Sequence, residues 1–433
     1  MLQRYSYPSP DQWPKILQRP SIATDQLDAL VQQVFEEVRL QGDAALRQYT
    51  QQFDQVQLET LEVSDAEKRE AAQALDSELK AAIDTALKNI RRFHEGQLIP
   101  ESVIETMPGV RCWRKSVAID KVGFYIPGGS APLFSSVLML GVPAELAGCS
   151  QRILCSPPNR EGKLHPAIVY TAQRVGIQRL FKLGGIQAIA AMAFGTKTVP
   201  AVKKLFGPGN QYVDAAKQYS TRLGMAIDLP AGPSEVLVYA DAGTDPDFIA
   251  ADLLAQAEHG PDSQVLFVTL DPELAQAVAL AVDHQLESLP RKAIAAEALA
   301  HSKIIVLQTE AQALELINAY APEHMILANQ DAKSTADQIR NAGSVFIGPY
   351  SPESVGDYAS GTNHTLPTNG FARAYSGVSV DAFVKKITYQ ELSREGLLQL
   401  GPTVEALAAA EALEAHKRAV SIRLQKIKAD ANQ

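Results

Sequence analysis

Gln256 and His259 lie three residues apart in DPDFIAADLLAQAEHGPDSQ, residues 245–264, so a helix carries both on one face, with Asp252 a turn earlier. A neutral imidazole and a carboxamide oxygen at a helix end suit a divalent metal such as zinc. The same pair describes a solvated polar patch, and spacing does not choose between them. Glu323 and His324, adjacent in NAYAPEHM, are two groups that surroundings can tune toward neutrality, which acid–base catalysis requires. Pro322 disfavours helix at the residue before it and sets this pair at an element boundary, where two solvated side chains are the plainer reading. Asp357 and His364 occur in the glycine-rich ESVGDYASGTNHTLPT, just past the carboxyl end of the strand-like SVFIGPY, where α/β proteins place function. His416 stands apart in the last helical stretch. His94, His165, His284 and His301 need no special role.

Three glycine turns, YIPGGSAP, KLGGIQA and FGPGNQY, each follow a strand-like run. Glycine lets backbone amides approach a ligand, and a following helix N-terminus favours phosphate. Three such turns on one sheet edge point to a phosphate-bearing ligand, but G-x-G-x-x-G is absent and NAD is not specified. H-E-x-x-H and G-x-S-x-G are missing too, which speaks against zinc-protease and α/β-hydrolase chemistry. Cys112, Cys149 and Cys155 form no Cys-x-x-Cys pair; Cys149 and Cys155 flank SQRIL, have no convincing basic neighbour to make a thiolate, and read as buried small hydrophobes.

The elements that must position these groups follow from periodicity. Asp245 caps a helix, Pro246 opens it, and Gly260-Pro261 closes it. The first ~115 residues carry apolar positions at three- and four-residue spacing and predict helices. From Val117, short strands (KVGFYI, QRILCS, RLFKL, AVKKLF, SEVLVYA, SQVLFVTL, KIIVLQ, MILAN, SVFIGPY) alternate with helical patterns, which predicts a largely parallel α/β architecture. The series is too long for one six-stranded sheet, so two Rossmann-like, incomplete units are expected. After about Asp381 a mostly helical C-terminal tail is expected. The boundaries drawn are an N-terminal segment 1–24 packing with the tail, a first α/β domain of 25–117 plus 236–381, a second of 118–235 with the glycine turns, and the tail 382–433.

With 433 residues, 46% hydrophobic, and a mixed net charge of −9, the chain is an ordinary globular protein with no nucleic-acid or anionic-membrane surface. No run approaches the roughly 20 apolar residues of a membrane span, and the N-terminus lacks a signal core. Three unpaired cysteines fit a cytoplasmic setting.

Taken in order, VGFYIPGGSAPLFSSVLML, GGIQAIAAMAFGT, FGPGNQYV, IDLPAGPSEVLV, DLLAQAEHGPDSQ, NAYAPEHM and GDYASGTNHTLPT resemble the motifs of the histidinol dehydrogenase family, from about residue 25 to the C-terminus. The resemblance implies zinc-dependent oxidation of L-histidinol to L-histidine through L-histidinaldehyde with two NAD, the last steps of histidine biosynthesis. It implies one zinc per subunit on Gln256, His259, Asp357 and His416, the last supplied across a homodimer by a swapped tail. Glu323 and His324 match the family's acid–base pair. Substrate contacts match Ser234, Gln256, His259, His324, Asp357, Glu411 and His416, and NAD contacts match Tyr125, Gln187 and Asn210, one per glycine turn. EALEAHKRA, which carries Glu411 and His416, is the least distinctive motif. Other classes consistent with the residues are a related zinc/NAD dehydrogenase of another amino alcohol or a sulfonate alcohol, a thiol-dependent aldehyde dehydrogenase, and a two-lobed binding protein.

Overall fold

The continuous apolar runs become strands covered on both faces, as parallel strands must be. The computed structural model describes residues 2–20, 25–128, 132–230 and 232–431. Residues 21–24 of the N-terminal segment, 129–131 of the first glycine turn, 231 of IDLPAGPSEVLV and 432–433 of the tail lie outside the described residues. In chain order the strands are β1 (Gln3–Ser6), β2 (Val103–Met107), β3 (Val110–Ala118), β4 (Lys121–Tyr125), β5 (Gln151–Ser156), β6 (Arg179–Lys182) and β7 (Lys204–Phe206). They continue with β8 (Ala226–Ile227), β9 (Glu235–Ala240), β10 (Gln264–Thr269), β11 (Lys303–Val306), β12 (His324–Leu327), β13 (Ser344–Ile347) and β14 (Val384–Leu392).

The chain divides into two units, Met1–Gln97 with Ile119–Phe383, and Leu98–Ala118 with Val384–Gln433. The larger unit holds two parallel sheets, ordered β6-β5-β4-β7-β8 and β1-β11-β10-β9-β12-β13. Numbering each α/β series from its own first strand, both run 3-2-1-4-5, so the order reverses between β4 and β7 and between β9 and β12. At such a switch point neighbouring connections leave in opposite directions and open a crevice. The second sheet gains β1 on its β11 edge, an addition not expected from the first 24 residues.

Successive residues of one strand serve opposite cores, as the pleat requires. In β5, Ile153 and Cys155 join a cluster with Phe35, Leu46 and Phe181, whereas Leu154 joins one with Ile90, Leu138 and Phe206. Val236 and Val238 of β9 pack with Leu253 and Val278, while Leu237 and Tyr239 pack with Leu316 and Tyr320. The helices between Asp25 and Glu95 supply both cores of the first sheet: Val31, Val34 and Val38 on one face, Ile83, Ala86 and Ile90 on the other. The structure thus shares out the chain differently from the boundaries drawn from the sequence. Those helices lie on the sheet of residues 121–227, because that sheet has two apolar faces to cover.

The smaller unit pairs β3 antiparallel with both β2 and β14, and its two helices, Arg394–Ala410 and Glu414–Asp430, pack where Gly401 admits Leu424. The first 115 residues are mainly helix, as expected, with β1, β2 and part of β3 among them, but one expectation is corrected here: strands do not stop at Asp381, since β14 pairs over nine residues, Val384 with Ala118 through Leu392 with Val110. VKKITYQEL is charged and largely exposed, so its strand character comes from a partner some 270 residues away in sequence rather than from an apolar run. Among the described residues no helix is long and apolar enough to cross a membrane.

Candidate active site

The helix Pro246–Ala257 starts as its sequence requires: Asp245 accepts the Asp247 N–H at 2.9 Å and Pro246 takes the first position. It leaves the carboxyl end of β9 and must return to the amino end of the parallel β10. Gln256 and His259 are therefore delivered to the amino edge of the six-stranded sheet. Ser234 immediately precedes β9, and Glu323 and His324 stand at the start of β12, with His324 in register with Val236 and Ser344. Function was expected beyond the carboxyl end of β13; the residues gather instead at the amino edge, because the chain turns back after β13 into the helix Glu353–Tyr358.

There, ligand atoms of His259, Glu353 and Asp357 all lie within 4.8 Å of one another. Glu353 and Asp357 are four apart on one helical face, opposite the Gln256–His259 face. Gln256 is only 1% exposed; with its carboxamide oxygen toward the Glu235 N–H (3.2 Å), its nitrogen donates to both Glu353 oxygens, at 3.1 Å to Oε2. The Glu235 N–H also donates to Glu323 Oε2 at 2.9 Å. His324, 3% exposed, places Nδ1 3.2 Å from the Glu235 carbonyl oxygen and 3.5 Å from Glu323 Oε2. Its Nε2 lies 3.3 Å from Asp357 Oδ1 without hydrogen-bond alignment, so both atoms keep unused bonding capacity. His364 places Nδ1 2.8 Å from the Asp357 carbonyl oxygen and Nε2 2.9 Å from Ser136 Oγ, tying the loop to the helix after β4.

Carboxylates dominate this pocket. Burial drives the Glu353 pKa well above the ordinary range, against the pull of His324, and Asp357, Glu323 and Asp252 push it further the same way. Burial also opposes the Asp357 charge, but His324, His364 and His259 hold its pKa below normal. Burial alone would depress His324, yet Glu353, Glu323 and Asp357 raise its pKa well above the imidazole value. Glu235 is raised by burial despite Arg19, whose Nη2 donates to Oε2 at 2.8 Å while the guanidinium lies 4.0 Å from the Tyr320 ring centroid. Packing so many acids together is costly unless a cation shares the space. Imidazole and carboxylate donors this close, with Asp357 Oδ1 unpartnered, fit a divalent ion of the zinc type.

The other expected group lies at the carboxyl edge of the five-stranded sheet. Tyr125 ends β4, and its buried hydroxyl accepts the Gly185 N–H at 3.1 Å; burial pushes its pKa up to about 12. Gln187, 1% exposed, leaves both amide atoms unpartnered at the N-terminus of the helix Gly185–Phe194. Ser156 Oγ and Asp54 Oδ2 are buried and unpartnered too. Gly207, at φ +124°, has no alternative, since a Cβ there would meet the Tyr125 carbonyl oxygen at 2.0 Å. Asn210 caps the helix Gln211–Arg222, accepting from Tyr212 and Val213 N–H at 3.1 and 3.2 Å. Idle buried polar atoms at close-approach turns and helix N-termini fit a dinucleotide.

Glu411 and His416 lie in the smaller unit, at the end of one helix and in the first turn of the next, both exposed. All three cysteines are free, and burial holds two of them as thiols, pushing Cys149 up to about 11 and Cys155 higher. Sequence reading missed Glu353, whose four-residue spacing from Asp357 was the available signal. It also missed Arg19 and Glu235, for which no local pattern exists.

Fold and site define a mixed α/β protein with parallel sheets and a cluster of carboxylates and imidazoles at one sheet edge, buried at Glu353 and His324 and open to solvent at His259. The chain matches the sequence model for histidinol dehydrogenase over residues 17–424. It is 52% identical to the histidinol dehydrogenase of Bacteroides thetaiotaomicron over 428 residues, covering 99% of this chain and 100% of that one. It is 50% identical to that of Salmonella typhimurium, covering 98% and 97%. The crystal structure of histidinol dehydrogenase from Elizabethkingia anophelis superposes with a TM-score of 0.97 at 51% identity, covering 99% of each chain. The protein belongs to the histidinol dehydrogenase family and is an oxidoreductase.

Proposed function

We propose that this protein catalyses the zinc-dependent, four-electron oxidation of L-histidinol to L-histidine through L-histidinaldehyde, with two NAD per turnover. The observation that carries the reading is the meeting of His259, Asp357 and Glu353 beside Glu323 and His324 in a chain of this family. Gln256, His259 and Asp357, with His416 of the partner subunit, would hold the zinc. When bound, the ion orients the substrate's nitrogen donors and offsets carboxylate charge. Tyr125, Gln187 and Asn210, at the carboxyl edge of the five-stranded one of two incomplete Rossmann-like units, would hold the NAD that takes up a hydride in each oxidation.

His324 would accept the alcohol proton as the first hydride leaves, once a bound cation offsets the carboxylates that otherwise keep its ring protonated; its Nε2, without an aligned hydrogen bond, is the open ring nitrogen. Glu323 then takes a proton from the water that adds to the aldehyde, and the hydrate loses the second hydride. The Glu235 N–H anchors one Glu323 oxygen and leaves the other for water. Ser234 and the partner subunit's Glu411 add substrate contacts. Keeping the aldehyde in place between steps protects a reactive intermediate. The test is NADH formation with histidinol and with related amino alcohols, with and without a chelator. Chelator-sensitive formation of two NADH per histidinol supports the reading; turnover that survives removal of all metal, or that excludes histidinol, refutes it.

A further inference from the structure

Glu323 and His324 both lean on the backbone of Glu235, the first residue of β9. The Glu235 N–H donates to Glu323 Oε2 at 2.9 Å, and the Glu235 carbonyl oxygen lies 3.2 Å from His324 Nδ1. A carbonyl only accepts, so Nδ1 carries a proton and Nε2 is the nitrogen left to take one. The side chain of Glu235 is pinned in turn. It is 1% exposed, its Oε1 accepts the Asn369 N–H at 2.7 Å, and Arg19 grips it with Nε on Oε1 and Nη2 on Oε2. Arg19 Nη2 also donates to the Tyr320 carbonyl oxygen at 2.9 Å, three residues before Glu323. The register between β9 and β12 begins only at Val236 and His324. One guanidinium thus joins the approaches to both strands just outside their shared ladder.

We propose that Arg19 is a positioning residue for the acid–base pair, acting through Glu235. The role rests on the reaction proposed above. The planar fork of arginine makes two parallel bonds to a carboxylate, which fixes its orientation as well as its charge. An ion pair this deep adds little net stability over an apolar pair of the same volume. Its contribution here is geometric: it holds the one residue whose N–H and carbonyl aim Glu323 and select the ring nitrogen of His324.

The test compares full-length wild type, R19K and R19M/E235M. It measures kcat with histidinol and with histidinaldehyde, KM, zinc affinity by competition with a chromophoric chelator, and melting temperature. The double variant removes both charges at similar volume, so no stranded carboxylate is left to unfold it. Misplacing a reacting group by about 1 Å costs on the order of 10²-fold, and R19M/E235M should lose roughly 10–100-fold in kcat on both substrates. Among the described residues, Arg19 and the Glu235 carboxylate bond none of the proposed zinc ligands, so KM and zinc affinity should change less than about threefold. A double variant with kcat near wild type overturns the proposal. So does a loss of zinc affinity in step with kcat, which would make the pair part of the general framework. R19K keeps the charge but not the fork, and should lose about fivefold in kcat, the worth of one hydrogen bond, at an unchanged melting temperature. If the double variant does not fold, R19K decides: wild-type kcat there overturns the role. A wild-type protein that does not oxidise histidinol would refute the reaction itself, an outcome distinct from unaffected variants of an active enzyme.

Discussion

The two parallel sheets share the strand order 3-2-1-4-5, yet they present opposite edges to their polar groups. The five-stranded sheet offers its carboxyl edge, where Tyr125, Gln187 and Asn210 meet glycine turns and helix N-termini. The six-stranded sheet offers its amino edge, where Gln256 and His259 arrive at a helix C-terminus beside Glu323 and His324. In a parallel α/β sheet, helices start at the carboxyl edge and end at the amino edge. Their dipoles therefore favour anions at the first and cations at the second. One topology, used from both ends, makes a place for phosphates and a place for a metal. The side chains agree: idle hydrogen-bonding groups, mostly amide and hydroxyl, at one edge, clustered carboxylates and imidazoles at the other.

The largest effect that could break this division comes from His259→Asn. It should cut zinc affinity more than about 100-fold, beyond the range for outer partners, and abolish turnover while NADH binding followed by fluorescence stays unchanged. Loss of NADH binding as well would mean the edges are not separate. Mixing H259N with H416N dimers should restore roughly a quarter of wild-type activity if the partner's His416 completes each site, by random two-fold pairing. A mixture that stays inactive rejects that arrangement.

Glu323→Gln should come next, slowing the aldehyde-to-acid step roughly 10²–10⁴-fold, as loss of a general base does, with a smaller effect on the alcohol step. Separate assays with histidinol and histidinaldehyde decide; equal slowing would give Glu323 another task. On the opposite edge, Gln187→Ala removes a buried amide with no protein partner. If its partner is the dinucleotide, the KM for NAD should rise by up to about tenfold, the worth of one hydrogen bond, with zinc affinity unchanged. An unchanged KM would detach Gln187 from the ligand.

The smallest effect leaves both edges intact and appears only in stability. Asp214, on the helix capped by Asn210, is buried, and that burial raises its pKa to about 7 from 3.8 despite Lys217. A raised carboxyl pKa means the folded state holds a proton that the unfolded chain has released. Stability from this group is thus present below about pH 4 and lost as pH rises toward 7. Asp214→Asn should be stabilising by up to about 4 kcal/mol at pH 8 and near neutral at pH 4, in thermal melts at both. A gain of equal size at both pH values would assign the effect to packing instead of charge.

Local chemistry made much of this legible in the linear chain. Asp245-Pro246 dictates the start of a helix, and a three-residue spacing then forces Gln256 and His259 onto one face wherever that helix goes. Runs such as EVLVYA and QVLFVT can only be strands buried on both sides, and their alternation with helices implies parallel sheets. The edge on which the residues would gather was not legible, because it depends on the chain's path after β13 and on the return of each helix. β1 and β14 escaped notice because their strand character comes from partners distant in sequence, Lys303–Val306 and Val110–Ala118. Arg19 meets Glu235 across 216 residues, and Glu353 meets Gln256 across two elements. Periodicity and capping act over a few residues and survive in sequence; pairing, burial and the fields of neighbouring charges exist only once the chain has closed on itself.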